Sequence, residues 1–221
     1  MIKKLPDLEK LFHATIKNAS SLTGSVISLL NTDQKHIALG LAELTLEEIG
    51  KSFTCLAYLS REFTNEDIQK DWKSHNKKAH RAFLYEFFST KRLELIDRPD
   101  YFPTKRDGIY KEKEFSFYVD YDQTSGEIIT PSENVDLEEV GNRVCSLYGP
   151  LLVASQIHDL LIDRDEKYKR AFSDWAYFVM TNNIYQQESL EKLQNMKTNE
   201  KEYDSGIDEI IRIFSTREGS N

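Results

Sequence analysis

Two short stretches of the 221-residue chain carry ionisable groups at spacings that could do chemistry. Glu47, Glu48 and Lys51 fall within one helical turn of a segment otherwise rich in leucine and alanine. Further on, His75 and Lys78 lie three residues apart, with Trp72 before them and Ala79 and Ala82 after. A carboxylate beside an imidazole orients the ring and raises its basicity. An ammonium nearby stabilises a developing negative charge, such as that on a phosphorane. If the two helices that carry these residues are antiparallel neighbours, all five groups form one polar site mid-bundle. One histidine among lysines is a poor metal set. No CxxC, P-loop, GxGxxG, GxSxG or HExxH occurs, so neither a metal nor a cofactor is expected.

Each cluster also has a purely structural reading. Glu48 and Lys51 could be a satisfied buried ion pair, and His75 a satisfied core histidine. Isolated charges are costly to bury, so pairing or a cavity is required in either case.

The elements that must position these residues are helical. Leu8, Leu11, Phe12, Ile16, Ala19, Leu22, Val26 and Leu29 recur at helical spacing and predict a first helix over 7–30. After Asn31, Thr32 or Asp33 caps a second helix that runs to about Ser60. Its stripe Ile37, Leu41, Leu44, Glu48, Lys51, Cys55, Tyr58 reads as the core-facing seam, with Gly50 allowing a close approach beside Lys51. Thr64 or Asn65 caps a third helix, predicted to continue to Lys91–Ile96 with Ile68, Trp72, His75, Ala79 and Ala82 on one face.

Residues 97–113 read as a charged loop. Phe115, Phe117, Val119 and Tyr121 alternate with polar residues as a strand, and 127–130 pair back as a short hairpin before Pro131. A helix from Asp136 to Ile162 should kink or split at Gly149-Pro150. A long helix over 167–196 and a short one over 207–214 follow. The fold class is therefore mainly α: an antiparallel helical bundle with a small β-hairpin insertion and C-terminal helices. It forms a single domain over 1–221, divided into a helical core (7–96), a basic loop and hairpin (97–131) and C-terminal helices (136–221).

Composition narrows the function classes. Lys and Arg number 29 and Asp and Glu 37, a net charge of −8, so the chain as a whole is not a non-specific nucleic-acid binder. The charge is uneven. Residues 73–113 hold 11 basic and 6 acidic groups, whereas 114–221 hold 10 and 21. Within the basic segment Lys77, Arg81, Lys105 and Arg106 are candidate RNA contacts, with Tyr101, Phe102 and Tyr110 interspersed for stacking. Cys55 and Cys145 read as free, buried thiols of a reducing compartment. No apolar run is long enough to span a membrane, and the start of the chain has no secretory pattern. A cytoplasmic protein without membrane or DNA partners is expected.

The run Ala38-Leu39-Gly40-Leu41-Ala42-Glu43-Leu44-Thr45-Leu46-Glu47-Glu48-Ile49-Gly50-Lys51 is followed by His75-Asn76-Lys77-Lys78. Later come Tyr118-Val119-Asp120-Tyr121 and Pro131. In this order the pieces resemble the AbiV family of bacterial abortive infection proteins, over roughly residues 15–131. The resemblance implies anti-phage defence by halting growth or translation, switched on by a phage-encoded protein. The helical pair is also similar to the broader HEPN class, many of whose members are dimeric, metal-independent ribonucleases. The usual HEPN pattern, an arginine four to six residues before a histidine, does not occur: Arg61 is too far from His75, and Arg143 from His158. Any catalysis must use the Glu47, Glu48, Lys51, His75, Lys78 set. The expectation is a homodimeric effector that cleaves RNA. His75 is its general acid or base, Glu48 orients the ring, Glu47 fixes Lys51, and Lys51 and Lys78 hold phosphate. The alternative is a non-catalytic protein that blocks translation by binding, with the polar cluster structural.

Overall fold

The computed structural model describes residues 7–30, 32–85, 116–117, 120–121, 128–135, 137–162 and 166–181. Helix α1 (Leu8–Leu29) starts where Asp7 accepts a hydrogen bond from the Lys10 amide at 3.1 Å. Its stripe of Leu8, Phe12, Ile16, Ala19 and Val26 is buried against helix α2 (Lys35–Tyr58). The turn between them is tied by Thr32, whose Oγ1 accepts from the Gln34 amide at 3.1 Å. Gln34, not Thr32 or Asp33, is the N-cap of α2, and it makes no side-chain cap bond.

Helix α2 is the axle of the molecule. Ala38, Leu39, Ala42, Leu46, Ile49, Phe53, Leu56 and Ala57 are all fully buried and form one apolar stripe along it, and Glu43, Thr45, Glu47, Ser52 and Thr54 are buried on its flanks. A helix buried well beyond its apolar stripe needs several covering neighbours. It is covered by α1, α4 (His75–Phe83), α6 (Leu137–Ile162) and α7 (Glu166–Thr181). The expected core seam is its less buried side: Ile37, Leu41, Leu44, Glu48, Lys51 and Tyr58 are only half-buried.

The single third helix expected over 65–96 is two helices within its described part. Helix α3 (Asn65–Trp72) opens with a capping box: Thr64 Oγ1 accepts from the Asp67 amide, and the Asp67 carboxylate accepts from the Thr64 amide. Ser74 then leaves helical geometry and caps α4, its Oγ accepting from the Lys77 amide at 3.3 Å. A serine that can satisfy a new helix start competes with continuing the old one. The break turns α3 into a return leg. Residues 75, 78 and 81 of α4 lie beside 47, 50 and 54 of α2. So α4 runs in the same direction as α2, not antiparallel to it.

The expected strand over 115–121 is not continuous among its described residues. Ser116 and Phe117 are helical, and strand β1 is only Asp120–Tyr121. It pairs antiparallel with β2 (Ile128–Ile129), Asp120 opposite Ile129 and Tyr121 opposite Ile128. A helical turn, α5 (Pro131–Asn134), follows. Helix α6 runs through Pro150 as one element, without the expected split. Helix α7 clamps the end of α2. Ser173 Oγ donates to the Ala57 carbonyl and accepts from the Ser60 amide, both at 3.1 Å, and Arg61 meets Asp174 at 2.7 Å. The far part of the 167–196 prediction, the 207–214 helix and the 97–113 loop lie outside the described residues.

Candidate active site

A second stripe on α2, phased one residue away from the expected seam, organises the site. Gly40, Glu43, Glu47, Gly50 and Thr54 follow at steps of three and four and are all buried. Together they meet three later segments. The Phe117 ring fills the space beside Gly40. Arg143 Nε of α6 lies 2.7 Å from Glu43 Oε1, in a pair almost closed to solvent. Glu47 faces the first turn of α4. Gly50 lets the Lys78 backbone pass, since a Cβ there would sit 1.6 Å from the Lys78 carbonyl oxygen. Thr54 Oγ1 accepts from Arg81 Nη1 at 2.9 Å.

The geometry at Glu47 brings three of the five expected residues together. His75 Nδ1 lies 2.7 Å from Glu47 Oε1, and Lys78 Nζ lies 2.8 Å from Glu47 Oε2. Glu47 and Lys78 are each only 7% exposed at the side chain, whereas His75 is 51% exposed. One carboxylate thus bridges a buried ammonium and a solvent-facing imidazole. The ammonium holds the carboxylate ionised and in place, and the carboxylate fixes the ring through Nδ1. The start of α4, with its positive end, favours the same negative partner.

Glu48 and Lys51 form a separate ion pair on the half-buried side of α2. Lys51 also lies over the Trp72 ring, 5.9 Å from its centroid. The roles of the two glutamates are therefore exchanged relative to expectation: Glu47 orients His75, and Glu48 holds Lys51. The cause is the phase of α2, which turns Glu47 and Gly50, and not Glu48, toward α4. Lys78 is spent on Glu47, so it anchors the carboxylate and does not offer its charge to a phosphate. Arg81 is likewise committed, with Asp71 at 2.9 Å and Thr54 on its other nitrogen. It is a strut between α3, α4 and α2, and the expectation that it contacts RNA is corrected. Lys77 is exposed in the first turn of α4. Lys105 and Arg106 lie outside the described residues.

Sequence reasoning missed the Glu43–Arg143 pair and the tyrosine behind the site. Tyr85 is fully buried; its hydroxyl lies 2.7 Å from Ser52 Oγ and its ring is edge-on to Phe53. Burial drives its phenol well above the usual range. Burial also pushes the Cys55 thiol up to about 12, so it stays protonated. Cys145, expected to be buried, is exposed on α6. Among the described residues, no group of three or more His, Cys, Asp or Glu is placed to hold a metal ion. Nor is any described helix long and apolar enough to cross a membrane.

A helical bundle around one buried central helix, with an acid–imidazole pair where the next long contact begins, is a HEPN-like protein. Residues 7–147, well over half of the chain, match the AbiV family model, and the chain belongs to that family. The family places it in abortive infection, a form of anti-phage defence. No curated protein and no solved structure matches the chain.

Proposed function

We propose that this AbiV protein is the toxic effector of an abortive-infection response and that it halts translation by cleaving RNA at His75. The supporting observation is the 2.7 Å contact of His75 Nδ1 with Glu47, on a ring that is half open to solvent. In this reading His75 Nε2 takes the proton of an RNA 2′-hydroxyl. The 2′-oxygen forms a bond to phosphorus, the bond from phosphorus to the 5′-oxygen breaks, and the imidazolium returns a proton to the departing 5′-oxygen. The products are a 2′,3′-cyclic phosphate and a 5′-hydroxyl end. Glu47 stabilises the imidazolium that forms, and Lys78 keeps Glu47 ionised. Lys77, exposed in the first turn of α4, is the cation that meets a flanking phosphate. DNA lacks the attacking hydroxyl and is not a substrate. A homodimer, a cytoplasmic setting and release by a phage-encoded protein complete the proposal.

Purified protein incubated with total RNA tests this directly. Cleavage should persist in chelator and disappear in His75→Ala. RNA left intact by protein isolated from phage-infected cells removes the ribonuclease reading.

One observation favours a second reading, a protein that blocks translation by binding alone. The Glu47–Lys78 pair is as buried as a purely structural clasp between α2 and α4 would be. Under that reading His75→Ala retains toxicity.

A further inference from the structure

A cavity of about 410 Å3 opens between α1 and α6, lined by none of the residues around Glu47. That size falls within the roughly 300–1,000 Å3 of small-molecule sites. Its walls include His13, Ile16 and Lys17 from α1, and Ser155, His158 and Asp159 from α6. The two imidazoles meet edge to face, centroids 4.6 Å apart at 87°. His158 Nδ1 lies 3.0 Å from Asp159 Oδ1, which fixes the ring. His13 Nδ1 is buried and has no hydrogen-bond partner among the described residues.

The charges facing this pair are few. Glu9 stands 4.0 Å from His13 Nε2, but Lys169 of α7 occupies it at 2.9 Å. Asp7 lies one helical turn before Lys10 and is held by it. Asp159 is engaged with His158. Lys17 makes no ion pair among the described residues. One permanent cation, two protonatable rings and the Asp159 carboxylate, which His158 engages, therefore border a floor of Ile16 and Ala14.

We propose that this cavity binds a small organic phosphate monoester, its dianionic head held by Lys17, His13 and His158 and its apolar body against Ile16 and Ala14. A carboxylate would need one such cation; three cation-capable groups suit a dianion. The second ionisation of a phosphate monoester, near pH ~6, also falls beside the ordinary imidazole value of about 6.5. Burial lowers His13, with His158 adding to the effect, and an anion in the cavity opposes that shift.

The full-length protein titrated with phenyl phosphate tests this, with inorganic phosphate and benzoate as comparators. Phenyl phosphate should shift the His13 and His158 imidazole resonances saturably and raise the thermal midpoint. Binding should be tighter at about pH 6.5 than at about pH 8. Lys17→Met, at an exposed position, should fold normally and lose the binding; His158→Gln should weaken it. Absence of a saturable shift, or equal affinity in both variants, overturns the proposal. Equal binding of benzoate overturns the phosphate head, and equal binding of inorganic phosphate overturns the organic body. No readout involves RNA, so failure here leaves the His75 reading untouched.

Discussion

The carbonyl oxygen of Lys78 occupies the space where a side chain on Gly50 would begin, 1.6 Å from an ideal Cβ position. Helix α4 thus crosses α2 backbone against backbone, and this closeness puts His75 and Lys78 within reach of a carboxylate one turn earlier on α2. Gly50→Ala should gain about 1 kcal/mol of helix propensity. It should lose more than that, about 1–3 kcal/mol or above, because backbone rather than a side-chain tip must move. Urea unfolding should show net destabilisation, and activity should fall with it. Gly40→Ala makes the contrast: the three atoms nearest its added Cβ are all at the far end of the Phe117 side chain, a residue 39% exposed. That variant should unfold within about 1 kcal/mol of wild type.

His75 and Glu47 should separate function from stability. His75→Ala removes a half-exposed ring and should leave the thermal midpoint nearly unchanged while abolishing toxicity. Glu47→Gln strands the buried Lys78 ammonium. Breaking a buried pair from one side costs about 3–5 kcal/mol, so this variant should lose both fold stability and activity. Parallel growth and calorimetry measurements would reveal the difference; a large fall in midpoint for His75→Ala would point to a structural role.

The Glu43–Arg143 pair ties α6 to the middle of α2. Arg143→Ala should destabilise by about 3–5 kcal/mol through the uncompensated Glu43. Replacing both partners with apolar residues, Glu43→Leu with Arg143→Met, should recover most of the loss. A double-mutant cycle in urea checks both values.

Ser52→Ala leaves the buried Tyr85 hydroxyl without its serine partner. The expected cost is about 1–3 kcal/mol. Tyr85→Phe in the same background should restore part of it, as measured by chemical denaturation.

His13 sets a pH dependence. Its folded pKa lies below the ordinary value, first because of burial and then because of His158. The unfolded chain therefore binds the extra proton more readily. Stability is fully present above about pH 6.5 and is lost as pH falls through the folded value. The thermal midpoint should drop from about pH 7.5 to about pH 5.5, and His13→Asn should flatten that drop.

Much of this was legible from periodicity. The spans of α1, α2 and α6 follow from apolar spacing, and the Thr64 cap from its partner Asp67. The approach of His75 and Lys78 to the Glu47–Glu48 turn was legible in part, although it comes about through helices that run in the same direction and leaves Lys51 outside it. Which glutamate meets His75 was not, because α2 is buried on nearly every side and hydrophobic phase cannot rank its faces. Gly40 and Gly50, seen as places where other segments approach, were the better signal. The break at Ser74 was hidden because Trp72, His75 and Ala79 keep helical spacing across it. The Glu43–Arg143 and His13–His158 contacts join residues far apart in the chain, where no local pattern operates.

The two cysteine thiols have very different surroundings. Cys55 sits in the core of α2 with its thiol held protonated, while Cys145 faces outward from α6. A maleimide dye or spin label added to the unmodified protein should therefore attach at one position only. That gives a reporter on α6 without engineering, suited to following assembly or RNA encounter by fluorescence.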